Sequence, residues 1–278
     1  MILITGANGQ LGQVFRTILS TEDAIFKGRE LDITDIEALR EFTSKNNIKT
    51  IINTAAYTAV DLAETESALA FHINSLGARN LALISKEFQI KLIHISTDYV
   101  FDGTNYKPYN EQDITNPMSV YGQSKLEGEK AVLELSYSAY IIRTSWLYSG
   151  FGKNFLTNIT RLAQERDSLS IVADQIGTPT YAPDLARAIL ELIPNLQPHN
   201  KQILHYSNQG VASWYDFAYE IINLQNINCK LTPIPTTAYP TPATRPYYSV
   251  LDKTLVSNLL QSPIPHWKAS LLRHLSSQ

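Results

Sequence analysis

The chain begins with a strand-length apolar run, Ile2-Leu3-Ile4-Thr5, breaks at once through Gly6, Gly9 and Gly12, and resumes its apolar residues at Leu11, Phe15, Ile18 and Leu19. The first run is too short for a helix and the second repeats at helical spacing, so the glycines must fold a tight strand-to-helix turn. Glycine admits positive φ and lets a phosphate reach the backbone without meeting a Cβ. The helix that follows aims unpaired N–H groups and its positive dipole end at the same place. A turn of this kind is the fingerprint of dinucleotide binding when it sits between a strand and a helix. Gly6, Gly9, Gln10, Leu11 and Gly12 are the expected cradle.

The alternation continues. Strand-like runs at Ile2–Thr5, Ala24–Lys27, Thr50–Asn53, Lys91–Ser96 and Ala139–Thr144 are separated by helical patterns at Asp35–Lys45, Glu64–Phe88 and Val120–Leu135, with Thr34 as N-cap of the first. Strands that alternate with helices build a parallel sheet covered on both faces. The expected fold is α/β, a Rossmann-type doubly wound parallel sheet over residues 1–149, with a smaller α/β substrate-binding lobe over 150–278. In that lobe helices are expected at Asn154–Glu165, Pro183–Ile193 and Trp214–Leu224 and short strands at Leu169–Val172 and Ile203–Ser207, before the proline-rich stretch from Pro233 to Pro246. The chain has room to cross back to the first domain. Ligands of open sheets bind at the carboxyl ends of the strands, where this lobe would close.

At 278 residues the chain can bury a large core, and its formal net charge of −3 offers nucleic acid no basic surface. The single Cys229 cannot form an intrachain disulfide and has no basic cluster to activate it. No basic stretch precedes the apolar N-terminal run, which is one strand long, so neither signal peptide nor membrane anchor is expected and the protein should be cytoplasmic. The six histidines show no metal-ligand spacing, and no metal site is expected.

The chemistry is concentrated in three residues. Tyr121 and Lys125 stand four apart in a helical pattern and so share a face. A free tyrosine, with a pKa of about 10, is a poor proton shuttle at neutral pH, and a nearby ammonium favours its phenolate. Lys125 would therefore tune Tyr121. Thr97 closes the strand-like run Ile93-His94-Ile95-Ser96-Thr97, where its hydroxyl could meet a carbonyl oxygen turning into alkoxide. The three together predict hydride transfer from a reduced nicotinamide to a ketone, with Tyr121 giving the proton. Lone residues of these types more often pack or face solvent; their order after a glycine turn is what favours catalysis.

The second strand ends in Lys27-Gly28-Arg29, and Arg29 could accept a 2′-phosphate, whereas Glu30 beside it leaves a free ribose hydroxyl admissible. NADPH is the expected cofactor, with NADH possible. Asp32 and Ile33 would face adenine, and the small Ala55 and Ala56, with Tyr57, would let the cofactor lie close to the third strand.

More specific motifs run through the whole chain: Leu31-Asp32-Ile33-Thr34-Asp35, Asn53-Thr54-Ala55-Ala56-Tyr57, Ser96-Thr97-Asp98-Tyr99-Val100-Phe101, Arg143-Thr144-Ser145-Trp146, Asp174-Gln175-Ile176-Gly177-Thr178-Pro179-Thr180 and Arg245-Pro246. With Tyr121-Gly122-Gln123-Ser124-Lys125 they make the chain resemble the extended short-chain dehydrogenase/reductase family, and within it the dTDP-4-dehydrorhamnose reductases. The resemblance implies reduction of the carbon-4 ketone of dTDP-4-dehydro-L-rhamnose, the last step in making an activated sugar for cell-surface polysaccharide such as the O antigen of lipopolysaccharide. It implies that Thr97 and Asp98 contact the sugar and that Trp146 packs beside it, as an indole face suits a deoxy sugar. Arg245 is the candidate for the nucleotide pyrophosphate, since a guanidinium fork matches phosphate oxygens. Gln175 and Thr178 are expected to line the same lobe. Asp61, Glu64 and Glu66 read as helix-dipole partners.

One departure concerns assembly. Some relatives carry a glutamate shortly after the third glycine that helps build a magnesium-linked dimer, and this chain has Gln13-Val14 there. A monomer or weak homodimer is expected. The scaffold leaves two other functions open: another nucleotide-sugar 4-ketoreductase or epimerase, and a non-catalytic regulatory subunit such as the one serving methionine adenosyltransferase. An intact Thr97, Tyr121 and Lys125 set speaks for turnover.

Overall fold

The computed structural model describes residues 1–276. The first half alternates as β1 (Ile2–Thr5), α1 (Gln10–Ile18), β2 (Ala24–Lys27), α2 (Ile36–Lys45), β3 (Thr50–Asn53), α3 (Val60–Ala63), α4 (Ser67–Phe71), α5 (Gly77–Phe88), β4 (Lys91–Thr97), α6 (Val120–Leu135) and β5 (Ser138–Thr144). The second half adds β6 (Leu147–Tyr148), α7 (Phe155–Glu165), β7 (Ser168–Val172), β8 (Ile176–Gly177), β9 (Thr180–Tyr181), α8 (Ala182–Leu192), β10 (Lys201–His205), β11 (Ala212–Ser213), α9 (Trp214–Leu224), β12 (Lys230–Ile234), α10 (Thr254–Leu259) and α11 (Trp267–Leu275).

Six strands form one parallel sheet in the order β10-β5-β4-β3-β1-β2. All residues of β3 and β5 are buried, as strands covered on both faces must be. On one face α1 and α8 bring Val14, Phe15, Leu185 and Ile189 against Ile4, Ile52, Ile93 and Ile142. On the other, α2, α5 and α6 bring Leu39, Leu81, Ile84 and Val132 against Leu3, Ile51, Leu92 and Ile141. Each such side chain, fully buried, contributes roughly 1.5–3 kcal/mol. The strand order reverses between β1 and β3, which opens a crevice at their carboxyl ends.

Three expectations need correction. The strand expected at Ile203–Ser207 in the smaller lobe runs Lys201–His205 and pairs with β5, because α8 returns across the sheet beside α1 and delivers it to the open edge. The single helix expected from Glu64 to Phe88 is broken into α3, α4, a π turn at His72–Leu76 and α5. The N-cap of α2 is Asp35, not Thr34: Asp35 Oδ1 accepts the N–H groups of Glu37 and Ala38 at 3.1 and 3.0 Å. Thr34 instead donates its hydroxyl to Asp32 at 2.8 Å.

A third core joins α7, α9 and α11 to β7, around Phe217, Ile221, Leu156, Leu169 and Trp267. Strand β12 pairs in parallel with β7, and β8 with β11 in antiparallel fashion. Tyr248 bridges to Ile176 and Leu251 to Tyr109, so the segment after β12 is stitched both to this lobe and to the loop after β4.

Candidate active site

The turn after β1 is built for close approach. Gly6 has φ +67°, and a Cβ there would lie 2.4 Å from the backbone nitrogen of Ala55. The two strands at the switch point are tied across it: Thr5 donates its hydroxyl to Asn53 Oδ1 at 2.7 Å, and the same oxygen accepts the N–H of Ala55 at 3.1 Å. Helix α1 starts at Gln10 without a side-chain cap, which leaves its first N–H groups for an anion.

Beside this turn lies a cleft of about 720 Å³ lined by Gly6, Gly9, Arg29, Asp32, Ile33, Ala55, Ala56 and Tyr57, all expected as cofactor residues. Thr54, within the Asn53–Tyr57 motif but not singled out, lines it too, as do Asn8 and His72, which carried no sequence signal. Glu30 folds back to accept the N–H of Gly28 at 2.8 Å, a bond that holds its carboxyl below the usual range. The cleft, the Gly6 turn and the uncapped helix together fit a dinucleotide. Gln10 and Leu11 can serve it only through their backbone. Leu11 is a core residue, and the Gln10 side chain turns to the second half of the chain, bonding Leu147 O, Ser149 Oγ and Asn154 Nδ2 at 3.2, 3.0 and 2.9 Å.

Thr97 ends β4, and Tyr121 and Lys125 project from the first turns of α6, whose N-cap Ser119 accepts the N–H of Gly122. Thr97 and Lys125 are buried and Tyr121 partly so. Burial pushes the Tyr121 hydroxyl up to about 12, while the Thr97 hydroxyl acts in the opposite direction. Burial also lowers Lys125 to about 8, with Glu129, one turn on, working to keep its charge. Lys125 Nζ donates to the Ile95 carbonyl at 2.6 Å.

Asp98 is 2 % exposed and burial raises its carboxyl to about 6; its Oδ1 accepts the Thr97 hydroxyl at 3.0 Å, and its buried Oδ2 has no hydrogen-bond partner among the described residues. Thr97 and Thr144 are register partners, so Trp146, two residues beyond β5, stands at the same end of the sheet as Thr97. Gln175 and Thr178 are buried and already engaged: Thr178 donates to Gly210 O at 2.8 Å, and Gln175 bridges Trp214 and Thr236.

The acids after β3 are not dipole partners as expected. Asp61 pairs with Arg245, Glu64 accepts the N–H of Val120 at 2.9 Å, and Glu66 accepts the Tyr57 hydroxyl at 2.6 Å. Asp61 and Glu66 stand at the start of helices too short to offer much dipole, Glu64 stands at the end of one, and nearer donors win. Asn74, on the π turn, was also missed. It accepts the Tyr57 N–H at 2.8 Å and donates to Ser124 at 2.9 Å, tying the cofactor cleft to α6. Among the described residues no helix is long and apolar enough to cross a membrane, and no group of three or more His, Cys, Asp or Glu could hold a metal ion.

Comparison with known proteins extends over the whole chain. The family model described as RmlD substrate binding domain matches residues 1–278. The dTDP-4-dehydrorhamnose reductase of Aggregatibacter actinomycetemcomitans is 38 % identical over 97 % of this chain and 96 % of its own length. The dTDP-4-keto-6-deoxy-D-glucose reductase of Streptomyces niveus is 37 % identical over 97 % of this chain and 94 % of its own. A crystal structure of the dTDP-4-dehydrorhamnose reductase of Bacillus anthracis in complex with NADP is 39 % identical, covers 100 % of this chain and 99 % of that one, and superposes with a TM-score of 0.95.

Proposed function

Because this chain belongs over its full length to the RmlD substrate binding domain family, we propose that it reduces the carbon-4 ketone of dTDP-4-dehydro-L-rhamnose to dTDP-L-rhamnose. NADPH is the reductant and NADH can replace it. What supports the reading is that Thr97 ends β4 and Tyr121 and Lys125 stand on the first turns of α6, which Asn74 ties to Tyr57 of the cleft at the β1/β3 switch point, in a chain similar over nearly its whole length to a dTDP-4-dehydrorhamnose reductase.

A reduced nicotinamide, when bound, supplies the hydride; orientation and proton supply fall to side chains. Tyr121 delivers its hydroxyl proton to the ketone oxygen as the carbon is reduced, and Thr97 donates a hydrogen bond to that oxygen as charge develops. Lys125 keeps a positive charge under the site that eases loss of the Tyr121 proton. Trp146 takes the apolar face of the deoxy sugar and Asp98 a sugar hydroxyl. Arg245 holds the pyrophosphate, and Gln175 and Thr178 keep the shape of the lobe around it. Arg29 meets the 2′-phosphate and Asp32 and Ile33 the adenosine end.

The enzyme is proposed to work in the cytoplasm as a monomer or weak homodimer. Val14, one of the two residues standing where some relatives have the dimer glutamate, is buried in the core and offers no carboxylate to a metal. The test is loss of reduced-nicotinamide absorbance with dTDP-4-dehydro-L-rhamnose generated in place and the sugar product identified by chromatography. Formation of dTDP-L-rhamnose is expected; NADPH binding without oxidation would sink the proposal. The Streptomyces niveus relative favours one second reading, reduction of the 4-keto-6-deoxy-D-glucose nucleotide. Offering that sugar alone in the same assay separates the two.

A further inference from the structure

Trp214 belongs to no motif, yet it makes the closest ring contact of the molecule. Its indole lies on that of Trp146 with centroids 3.5 Å apart and planes 7° from parallel. Trp146 needs such support, because its φ of +47° falls in the left-handed region that a bulky residue enters only under constraint from its surroundings.

Trp214 is itself firmly held. It is the first residue of α9, directly after the N-cap Ser213, whose hydroxyl and backbone N–H exchange hydrogen bonds with Asp216 in a capping box. Its Nε1–H donates to Gln175 Oε1 at 3.2 Å, Gln175 Nε2–H to Thr236 Oγ1 at 3.2 Å, and the Thr236 hydroxyl to Asp174 at 2.6 Å. Phe155 packs against it from α7, 4.5 Å between centroids. On the Trp146 side, Gly177 leaves room for the ring: a Cβ there would fall 2.6 Å from Trp146 Cε2. Trp146 is thus backed by one indole and bounded by a glycine, while remaining only partly buried.

We propose that Trp214 is a positioning residue for sugar recognition, holding the Trp146 indole from behind as a fixed platform for the apolar face of the nucleotide-linked sugar. The proposal rests on the reading of Trp146 as the sugar contact. A mobile indole must be ordered when the sugar arrives, and a pre-stacked one need not be, so the gain appears in affinity for the sugar and not for the nucleotide.

The experiment is calorimetric titration of the NADP-loaded enzyme with dTDP and with dTDP-L-rhamnose, run on wild type, Trp146→Leu, Trp214→Leu, Trp214→Phe and Gly177→Ala. Trp214→Leu should weaken dTDP-L-rhamnose by up to about tenfold, the value of one aromatic pair, and leave dTDP unchanged. KM for the keto sugar should rise with little change in kcat, and Trp214→Phe should recover part of the loss. Gly177→Ala should reproduce the pattern by displacing the Trp146 ring, its Cβ falling 2.6 and 2.8 Å from Trp146 Cε2 and Cζ2 and 2.8 Å from the Ser249 hydroxyl, which can turn away; Gly177 does not use positive φ, and the variant keeps the test alive if Trp214→Leu fails to fold. Near-ultraviolet circular dichroism reports the stack. Unchanged dTDP-L-rhamnose affinity in Trp214→Leu with an altered indole band overturns the proposal, as does equal weakening of dTDP and dTDP-L-rhamnose. If Trp146→Leu leaves sugar affinity intact, the reading of Trp146 fails first and the role of Trp214 falls with it.

Discussion

Arg245 grips Asp61 with both terminal nitrogens, at 3.1 and 2.7 Å, and Asp61 Oδ1 also accepts the backbone N–H of Ala243 at 3.2 Å. The Arg245 hydrogen bond leads the effects that hold the Asp61 carboxyl below its ordinary range. One acid on α3, beside the cofactor cleft, therefore fixes the proline-rich segment that would carry the pyrophosphate contact. Both side chains keep partial exposure, 24 % and 39 %, so the pair is screened and its worth lies in placement more than in stability. Arg245→Lys should raise KM for the nucleotide sugar about tenfold with kcat little changed, because an ammonium cannot span Asp61 and a phosphate at once. Asp61→Asn should act in the same direction and more weakly, and the double variant should be no worse than Arg245→Lys. Steady-state kinetics of the four proteins decide it; additive losses would show that the two residues act separately.

Tyr121 and Lys125 give a second prediction. Tyr121→Phe removes the proton but not the ring, whose edge packs on Tyr99 at 5.5 Å between centroids, so the fold and NADPH binding should persist while kcat falls by about 10²–10⁴-fold. Lys125→Met takes away the ammonium that donates to Ile95 O, and both NADPH affinity and kcat should drop. Thermal shift with NADPH, set beside turnover, separates the two effects. A Tyr121→Phe enzyme of normal rate would remove Tyr121 from the chemistry.

The fold was largely legible because its signals are local. A strand, three glycines and a helix must be neighbours in sequence to make the β1–α1 turn, and the residue types of β3, β4 and β5 declare strands buried on both faces. The placement of the proposed catalytic residues was legible for the same reason, as Tyr121 and Lys125 share one helix and Thr97 ends a strand. Long-range partners were not. Nothing within Val60–Glu66 says that Asp61 will meet Arg245 or that Glu64 will cap α6, and a helical pattern through Glu64–Phe88 hides the π turn that aims Asn74 at Tyr57 and Ser124. Trp214 looked like the start of an amphipathic helix; only the fold brings it behind Trp146.

Glu129 and Arg143 form a buried ion pair, each 2 % exposed by side chain, with Arg143 Nε and Nη2 on the two carboxylate oxygens at 2.9 and 2.7 Å and the Ser96 hydroxyl also donating to Glu129. The pair fixes α6, and with it Tyr121 and Lys125, against β4 and β5. Glu129→Leu strands the Arg143 charge and should cost about 3–5 kcal/mol of unfolding free energy. Glu129→Leu with Arg143→Met should recover most of that, since two apolar groups replace two charges. Denaturant unfolding of the three proteins measures it, and equal loss in the single and double variants would contradict the argument.

Asp98 makes stability depend on pH in the sense opposite to a paired carboxylate. In the folded protein burial holds its proton up to about pH 6, whereas its ordinary value is 3.8. Between those two values the folded state binds more protons than the unfolded chain, so this group favours folding most in acid and its contribution falls as pH rises through about 6. Above that the carboxylate is carried at a cost of up to about 3 kcal/mol, two units at about 1.4 each. Asp98→Asn keeps the shape and removes the charge. Its midpoint of unfolding should exceed that of the wild type at pH 7 and converge with it near pH 4, while turnover falls because Asp98 is the proposed sugar contact. The measurement is a pair of urea titrations at the two pH values on both proteins. A stability gain that is the same at both would mean that the Asp98 charge is not what burial opposes, and a variant less stable at pH 7 would mean that its hydrogen bond with Thr97 outweighs burial.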